Sequence, residues 1–165
     1  MQRLLLLLCA SMLLSSVSGG PRSFTIRRYC PPGWTSMYGR CFKYVGSYLT
    51  WAQAEKNCLH MKGNLASVRS MLEYYSIQNL ILRFSHRSNP TWIGGYDATE
   101  EGVWLWSDGS LMTFTKWCPG EPNNGYGGRQ HCLQMNYSGR KCWDDHLCNT
   151  RLPSVCIRKK KWFGA

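Results

Sequence analysis

The sequence is short of acidic side chains. Its 165 residues include 9 Asp and Glu against 20 Lys and Arg, which gives a formal net charge of +11. A surface of this sign favours anionic partners such as acidic glycans or anionic microbial surfaces, or else it serves only solubility. Three of the nine acids stand in two short segments, "WCPGEPNN" (residues 117–124) and "CWDD" (residues 142–145). These two segments are therefore the first candidates for a site.

The common catalytic and phosphate-binding patterns are also missing. There is no HExxH segment, no Ser-His-Asp order and no glycine-rich phosphate loop. We therefore expect a binding protein and not an enzyme. The lack of any CxxC pair disfavours a structural zinc site on Cys142, His146 and Cys148. The four histidines are scattered: His60, His86, His131 and His146.

Long apolar runs are absent except at the start of the chain. There Arg3 precedes "LLLLLCASMLL", and the small residues "SSVSGG" follow. This order predicts a secretory signal peptide over residues 1–19, with an apolar run too short to span a bilayer. A basic lead-in follows over residues 20–29. We expect a secreted, extracellular protein without a transmembrane segment, for which nucleic acid is not a partner.

Cysteine, in contrast, is plentiful. Of the nine cysteines, Cys9 lies in the predicted signal peptide, and an even number in a secreted domain implies a disulfide framework. Eight cysteines allow about 105 pairings, so their count alone leaves the connectivity open. The segment "CPPGWTSMYGRCFKYV" predicts a strand-turn-strand unit closed by Cys30–Cys41. The eight are Cys30, Cys41, Cys58, Cys118, Cys132, Cys142, Cys148 and Cys156.

Two segments have the pattern of amphipathic helices. "TWAQAEKNCLHMKGN" begins at Thr50 as N-cap, with Gln53 completing a capping box and Gly63 at the C-terminal cap. "SMLEYYSIQNLILRF" begins at Ser70, with Glu73 predicted to complete a second capping box. Six apolar side chains of this second helix are predicted to pack in the core: Leu72, Tyr75, Ile77, Leu80, Ile81 and Phe84.

From Pro90 onwards the sequence pattern is typical of short strands joined by long loops. The predicted strands are "TWIGGY", "VWLWSDGS", "HCLQMNY" and "SVCIRK", with "NLASV" as an earlier one. Together the segments predict an α+β domain over residues 30–158, with two helices flanking small antiparallel sheets, a long loop region and disulfide staples. The basic tail, residues 159–165, is either a solvated end or a contact for an anionic surface.

The order of motifs resembles the C-type lectin domain in its long form. The motifs are the Cys58 helix, "WIGG", "WSDGS", "EPN", the Cys132 strand, "WDD", Cys148 and Cys156. The segment "WCPGEPNN…HCLQMNYSGRKCWDDHLC" is most similar to a fish subgroup of secreted lectins, venom lectins and type II antifreeze proteins. The resemblance implies four disulfides: Cys30–Cys41, Cys58–Cys156, Cys118–Cys142 and Cys132–Cys148. A fifth antifreeze disulfide would need cysteine where His131 stands, which counts against that function.

The resemblance also implies a calcium site that holds a sugar. Gln130 stands where the family has Glu and Asp144 where it has Asn, so three negative charges are kept. We expect a calcium affinity on the order of 10⁻⁴–10⁻³ M, as in extracellular modules. "EPN" resembles the mannose-type signature, and Gln130 would then supply the second amide that sugar hydroxyls need. The residues implied for both calcium and carbohydrate are Glu121, Asn123, Gln130, Asp144 and Asp145.

Other side chains have a functional and a structural interpretation. Tyr126 and Arg129, on the loop "NNGYGGRQ", either contact a sugar beyond its first ring or are exposed loop side chains. The sequon "NYS" predicts a glycan on Asn136, near the tip of a hairpin. By the resemblance, four tryptophans belong to the core and not to sugar stacking: Trp92, Trp104, Trp106 and Trp143.

The sequence therefore predicts a secreted, calcium-dependent lectin of mannose type, for microbial or cell-surface glycans in innate defence or as a venom-type lectin. Two alternatives stay open. One is a type II antifreeze protein, against which the charge of +11 also argues, since ice binding favours a flat and relatively uncharged surface. The other is a sugar-independent cationic module with a structural calcium. The oligomeric state is not indicated.

Overall fold

The computed structural model describes residues 28–162. The predicted signal peptide, the lead-in up to residue 27 and residues 163–165 of the tail lie outside this range. The described chain has the predicted α+β architecture, in which helices pack on one eight-stranded sheet. None of the helices within residues 28–162 is long and apolar enough to cross a membrane.

The predicted helices and strands are present, with some additions. The helices are α1 (Trp51–His60), α2 (Met71–Ser85) and the single turn α3 (Gly125–Gly128). The strands are β1 (Arg28–Tyr29), β2 (Thr35–Met37), β3 (Arg40–Leu49), β4 (Asn64–Leu65), β5 (Thr91–Tyr96), β6 (Leu105–Trp106), β7 (Cys132–Tyr137), β8 (Cys142–His146), β9 (Leu152–Lys159) and β10 (Lys161–Trp162).

The main sheet is mixed, where the sequence predicted small antiparallel sheets. Its order is β2-β3-β9-β5-β7-β8, with β4 added on β9 and β6 on β5. All pairs are antiparallel except β5 with β9, which run parallel where Trp92 faces Ser154. This one parallel contact joins what would otherwise be two antiparallel sheets. It leaves β7 and β8, which carry the second acidic segment, at one end of the sheet.

The two ends of the described chain meet. Strand β1 pairs with β10, so that Arg28 lies opposite Trp162 and Tyr29 opposite Lys161. This pairing lies outside the boundaries 30–158 drawn from the sequence, which stay a prediction. Residues 28–29 and 161–162 form a small second sheet where the described chain enters and leaves the domain.

The start of α1 confirms the predicted capping box, and its end differs from the prediction. Thr50 Oγ1 accepts a hydrogen bond from Gln53 N–H, and Gln53 Oε1 accepts one from Thr50 N–H. The left-handed residue after the helix is Lys62, with φ of 62°, and not Gly63. Gly63 is needed for another reason, because a Cβ there would collide with the backbone carbonyl of Ile157.

Of the two hydrogen bonds of the capping box predicted for α2, one is present. Ser70 caps the helix by accepting from Glu73 N–H at 3.2 Å. The Glu73 carboxylate does not return to Ser70; it accepts from Arg40 Nη2 at 2.6 Å and from Arg69 N–H at 2.7 Å. Glu73, in the first turn of α2, is therefore one half of a buried ion pair.

The core face of α2 is also narrower than predicted. Leu72, Tyr75 and Phe84 are 67%, 51% and 55% exposed, so the prediction that they pack in the core is wrong. The apolar pattern of this helix extends around more than one face, and only one face meets the sheet. The residues buried on that face are Glu73, Tyr74, Ile77, Leu80 and Ile81.

The tryptophans build the core beneath the second acidic segment. Trp143 is fully buried, with the rings of Trp106 and Trp117 5.7 and 5.8 Å away, both nearly perpendicular to it. Trp92 is also fully buried and donates its Nε1–H to the Leu49 carbonyl at 3.0 Å, whereas Trp104 is half-buried against this core. Because Trp143 precedes the two aspartates of "CWDD", its anchoring fixes their backbone.

Four disulfides staple the domain, in the pairs that the family resemblance implies. Cys58–Cys156 ties α1 to β9, and Cys132–Cys148 ties the start of β7 to the loop after β8. Cys30–Cys41 closes the N-terminal strand-turn-strand unit. Cys118–Cys142 ties the first acidic segment to the start of β8. With every domain cysteine bonded, the thiols of Cys142 and Cys148 are not available to zinc.

Candidate calcium site

The two acidic segments lie side by side. Cys118 N–H donates to the Trp143 carbonyl at 2.9 Å, and Trp143 N–H donates to the Lys116 carbonyl at 2.8 Å. The Cys118–Cys142 disulfide adds a covalent link between the same backbones. Glu121, three residues beyond Cys118, is thereby brought beside β8.

Three carboxylates converge at this point. One oxygen each from Glu121, Asp144 and Asp145 lie within 4.8 Å of one another, and the two aspartates are buried. Burial raises the pKa of Glu121 to about 7, and the negative charges of Asp144 and Asp145 add to the effect. Burial also raises the pKa of Asp144, although a hydrogen bond from Gln134 opposes that shift. The cluster therefore favours a bound cation over three free negative charges.

The fit to calcium rests on an acceptor without a partner. Glu121 Oε2 is buried and accepts no hydrogen bond from the described residues. A buried polar atom left in this way costs stability unless a donor or a cation meets it. Calcium is a hard cation that takes six to eight oxygen ligands. The three carboxylates fit that preference. Calcium bound there would supply a positive ion that the oxygens of sugar hydroxyls could coordinate.

Asp145 has a second task, which is to hold the loop. It is fully buried, and its two carboxylate oxygens accept hydrogen bonds from Asn123 N–H at 3.0 Å and Asn124 N–H at 2.7 Å. Each carboxylate oxygen has a further lone pair that remains available to a metal. The residue thus fixes the "EPN" loop and the candidate ligand set together.

The two predicted amide ligands meet at Gly125. Asn123 Oδ1 accepts from Gly125 N–H at 2.8 Å, and Gln130 is 5% exposed. A Cβ built on Gly125 would lie 3.0 Å from Asn123 Oδ1 and would collide with Gln130 Oε1. Both amide oxygens are thus held against the same glycine. Calcium and sugar ligation by Asn123 and Gln130 stay predictions.

Two residues of the site were missed from the sequence. Asn124 adopts a left-handed conformation with φ of 45°, and its Oδ1 accepts from Gln130 N–H at 3.0 Å. Gln134 lies opposite Asp144 in the β7–β8 pairing and donates Nε2–H to Asp144 Oδ2 at 2.6 Å. The second "N" of "EPNN" and the alternation along "HCLQMNY" were the available signals.

A second cluster lies one residue from Gln130. His131 Nδ1 is 3.1 Å from Asp97 Oδ1 and 3.5 Å from Glu101 Oε2. Asp97 is buried and also accepts from Gly102 N–H at 2.9 Å. The cluster fixes the 97–102 loop against the start of β7. In the sequence His131 is a scattered histidine and stands at the position of an absent antifreeze cysteine, but this cluster was not predicted.

The remaining predicted residues lie around the site in different settings. Tyr126 is 68% exposed, and Arg129 Nε–H donates to its carbonyl at 3.1 Å, so both belong to an exposed loop. Contact between these two and a sugar stays a prediction. Asn136 is 1% exposed, and its Oδ1 accepts from Gln78 Nε2–H at 3.0 Å. A glycan on Asn136 also stays a prediction, and this burial counts against it.

Comparison with known proteins decides the family. The sequence model described as "Lectin C-type domain" matches residues 47–158. The chain belongs to the C-type lectin family. It is similar to ladderlectin of Oncorhynchus mykiss, with 38% identity over 133 residues that cover 81% of this chain and 70% of that protein. It is also similar to the galactose-specific lectin nattectin of Thalassophryne nattereri, with 38% identity covering 78% of this chain and 80% of that protein.

A solved structure extends the comparison to ice-structuring proteins. The crystal structure of a calcium-independent type II antifreeze protein matches with a TM-score of 0.73 and 34% identity, covering 82% of this chain and 98% of that one. These relatives confirm the fold and the fish subgroup of the C-type lectin family that the motifs resemble. By name they are lectins and an antifreeze protein, which bind and do not catalyse. Whether calcium is needed differs among such relatives.

We expect calcium binding by this C-type lectin domain to weaken as the pH falls below about 7. The folded pKa of Glu121 is raised to about 7, so at lower pH calcium must displace a proton from that carboxyl. The affinity should fall by up to about tenfold per pH unit below that value. The raised pKa also means that Glu121 contributes stability to the metal-free fold at low pH, which is lost as the pH rises through about 7. Isothermal titration calorimetry at several pH values measures the affinity.

The control for this pH dependence is Glu121→Gln. This variant should bind calcium more weakly at every pH and lose the proton release that accompanies binding near neutral pH. An affinity of the unsubstituted protein that stays constant from about pH 8 to about pH 6 would contradict the assignment.

Proposed function

We propose that the protein is a secreted, calcium-dependent carbohydrate-binding protein of mannose type, which recognises microbial or cell-surface glycans in innate defence or as a venom-type lectin. The observation that carries the proposal is the cluster of three carboxylates, two of them buried, in which Glu121 Oε2 accepts no hydrogen bond from the described residues. The five side chains that hold calcium, and through it the sugar, are Glu121, Asn123, Gln130, Asp144 and Asp145.

The proposal assigns a role to each pair of side chains. A sugar hydroxyl on calcium donates its proton to a carboxylate and accepts one from an amide. Glu121 and Asn123, on the same loop, supply one such pair. Gln130 and Asp144 supply the other, with Gln130 as the amide, because a carboxylate has no proton to donate. Gln134 Nε2–H, which donates to Asp144 Oδ2, keeps that carboxylate oriented.

Sugar preference is the finer part of the proposal. The segment "EPN" is of mannose type, in which both bound hydroxyls are equatorial. One relative, nattectin, is galactose-specific by name. The preference in this chain therefore has to be measured by direct competition between the two sugars.

Chromatography on immobilised mannose and galactose tests the function. We expect the protein to be retained on mannose resin in calcium and released by EDTA. In the double variant Glu121→Gln/Asn123→Asp the segment becomes "QPD", as in galactose binders, so retention should move towards galactose resin. Retention that survives EDTA, or a stronger retention of the unsubstituted protein on galactose, would contradict the proposal.

Ice binding is a second candidate, favoured by exposed apolar side chains as well as by the antifreeze relative. Leu111, Val103 and Leu105 are 84%, 44% and 41% exposed, which leaves apolar side chains in water on one stretch of chain. The net charge of +11 opposes it, since a strongly charged surface keeps its hydration water. A thermal-hysteresis measurement on the purified protein decides between the two functions.

A further inference from the structure

A concave surface separate from the calcium residues lies where α1, β3 and β9 approach one another. It has a volume of about 640 Å³ and includes the end of β9, the 62–64 segment after α1 and the turn 108–110. None of the five candidate calcium residues lines it. Six cationic side chains and one acidic side chain line this surface, which we call the basic cleft. Five of the cations carry the argument: Lys62, Arg69, Arg158, Lys159 and Lys160.

The acidic charge near the cleft is already used. The sixth cation, Arg40, pairs with Glu73 at 2.6 Å. Its Nη1 lies 4.0 Å from Asp108, which among the described residues is the only carboxylate that lines the cleft. Asp108 also accepts hydrogen bonds from Ser67 and from Ser110. None of the five remaining cations forms an ion pair with any residue in the described range 28–162. The cleft therefore concentrates positive charge that the protein itself does not neutralise.

Two residues of the cleft wall, Arg158 and Asn64, are held in place by side-chain contacts. The Arg158 guanidinium lies over the Trp34 ring, 5.5 Å from its centroid, and its Nη1 donates to the Met61 carbonyl at 3.0 Å. Asn64 Nδ2 donates to Glu55 Oε1 at 2.7 Å, which holds the 62–64 segment. Cations held in place lose less conformational entropy on binding than free side chains do.

Lys62 lies in the turn that ends α1 and also lines the cleft. Its φ of 62° lies in the left-handed region, which glycine adopts at lower cost than any residue with a Cβ. A lysine at this position accepts that strain and presents its cation at the cleft. Nothing in the packing of the described residues requires a lysine here.

We propose that the basic cleft binds the sulfate groups of an anionic saccharide chain, independently of calcium. Two arginines with planar guanidinium groups and three lysines suit sulfate oxygens, to which arginine can donate two parallel hydrogen bonds. The concave shape suits a saccharide, whereas a flat bilayer surface would not reach into it. The protein then has two glycan-binding sites of different chemistry, one through metal and one through charge.

A pair of charge-matched triple variants tests the proposal. Lys62→Gln/Lys159→Gln/Lys160→Gln removes three cations from the cleft, and none of the three forms an ion pair within the described chain. Arg83→Gln/Arg87→Gln/Arg151→Gln removes three exposed cations that do not line it. The probe is a heparin-derived oligosaccharide, titrated by calorimetry in EDTA at about physiological salt. We expect about a tenfold loss of affinity for the cleft variant and less than about twofold for the control.

Several outcomes would overturn the proposal. Equal losses in the two variants would mean that total charge and not the cleft attracts the probe, and a probe that fails to bind the unsubstituted protein in EDTA would contradict a calcium-independent site. Binding to phosphatidylserine vesicles without binding to the oligosaccharide would identify a membrane surface instead. Thermal unfolding of both variants checks that they fold. Because EDTA is present throughout, failure of the calcium-dependent lectin function would leave the result unaffected.

Discussion

Glu73→Gln should lower the free energy of unfolding by about 3 kcal/mol, because it leaves a buried guanidinium without its charged partner, although Ser67 still accepts from it. Arg40 and Glu73 are 7% and 4% exposed, and Arg40 Nη2 lies 2.6 Å from Glu73 Oε2. Burial lowers the pKa of Arg40, and the hydrogen bond and charge of Glu73 oppose that shift. Without Glu73, the nearest carboxylate to Arg40 is Asp108, whose Oδ2 lies 4.0 Å away and already accepts from Ser67, while its Oδ1 accepts from Ser110. Urea unfolding measures the loss.

Two controls separate the buried charge from other causes. Glu100→Gln removes an exposed carboxylate that forms no ion pair with any residue between 28 and 162, and we expect a change within about 0.5 kcal/mol. The double variant Arg40→Met/Glu73→Leu removes both charges and should recover much of the lost stability, because apolar side chains can replace a buried pair. A double variant as unstable as Glu73→Gln would mean that the packing of these side chains, and not the uncompensated charge, sets the cost.

Glu73 also shows which kind of contact cannot be predicted from the sequence. Its position three residues after Ser70 fits a capping box, and the local half of that motif, Ser70 on Glu73 N–H, is present. The carboxylate went instead to Arg40, 33 residues earlier in the chain. A local sequence pattern determines a backbone cap. A buried charged side chain, however, pairs with the partner that best offsets the free-energy cost of its burial. That partner becomes known only once β3 and α2 are packed together.

The same distinction explains which parts of the fold were predictable. Helix starts at Thr50 and Ser70 depend on neighbours three residues away, so the sequence is sufficient for them. The parallel contact of Trp92 with Ser154 joins chain segments 62 residues apart, and no local signal carries it. The buried face of α2 depends on which side meets the sheet, and its apolar residues extend round more than that one side.

The residues of the candidate site also divide into those that could be predicted from the sequence and those that could not. Its acidic residues were found because they are rare in a basic chain and adjacent to cysteines and tryptophans that fix their backbone. Gln134 and Asn124 were missed because an amide in a strand or a loop is common in any sequence. What selects Gln134 is its register opposite Asp144, and what selects Asn124 is its bond to Gln130 N–H. Both follow from strand pairing and loop closure.

Asp145→Asn should weaken calcium binding on the order of 100-fold, the largest effect we expect at the site. Asp145 serves both as one of the three clustered carboxylates and as the acceptor for Asn123 N–H and Asn124 N–H. An asparagine has one carbonyl oxygen, so its amide group would face one of these N–H donors. The substitution thus removes a ligand charge and releases the loop that carries Glu121. Calorimetric titration measures the affinity.

Comparison with Asp144→Asn separates the effect of the loop hydrogen bonds of Asp145 on calcium affinity from the effect of its charge. That variant also removes one charge, but its side-chain oxygen can still accept from Gln134 Nε2–H, and Asp144 holds none of the loop N–H groups that Asp145 holds. We therefore expect a smaller loss of affinity for Asp144→Asn than for Asp145→Asn. Calcium should raise the melting temperature of the unsubstituted protein and of Asp144→Asn, because a ligand stabilises the state that it binds, but it should leave that of Asp145→Asn nearly unchanged. Equal losses in the two variants would show that charge alone sets calcium affinity and that the loop hydrogen bonds of Asp145 contribute nothing to it.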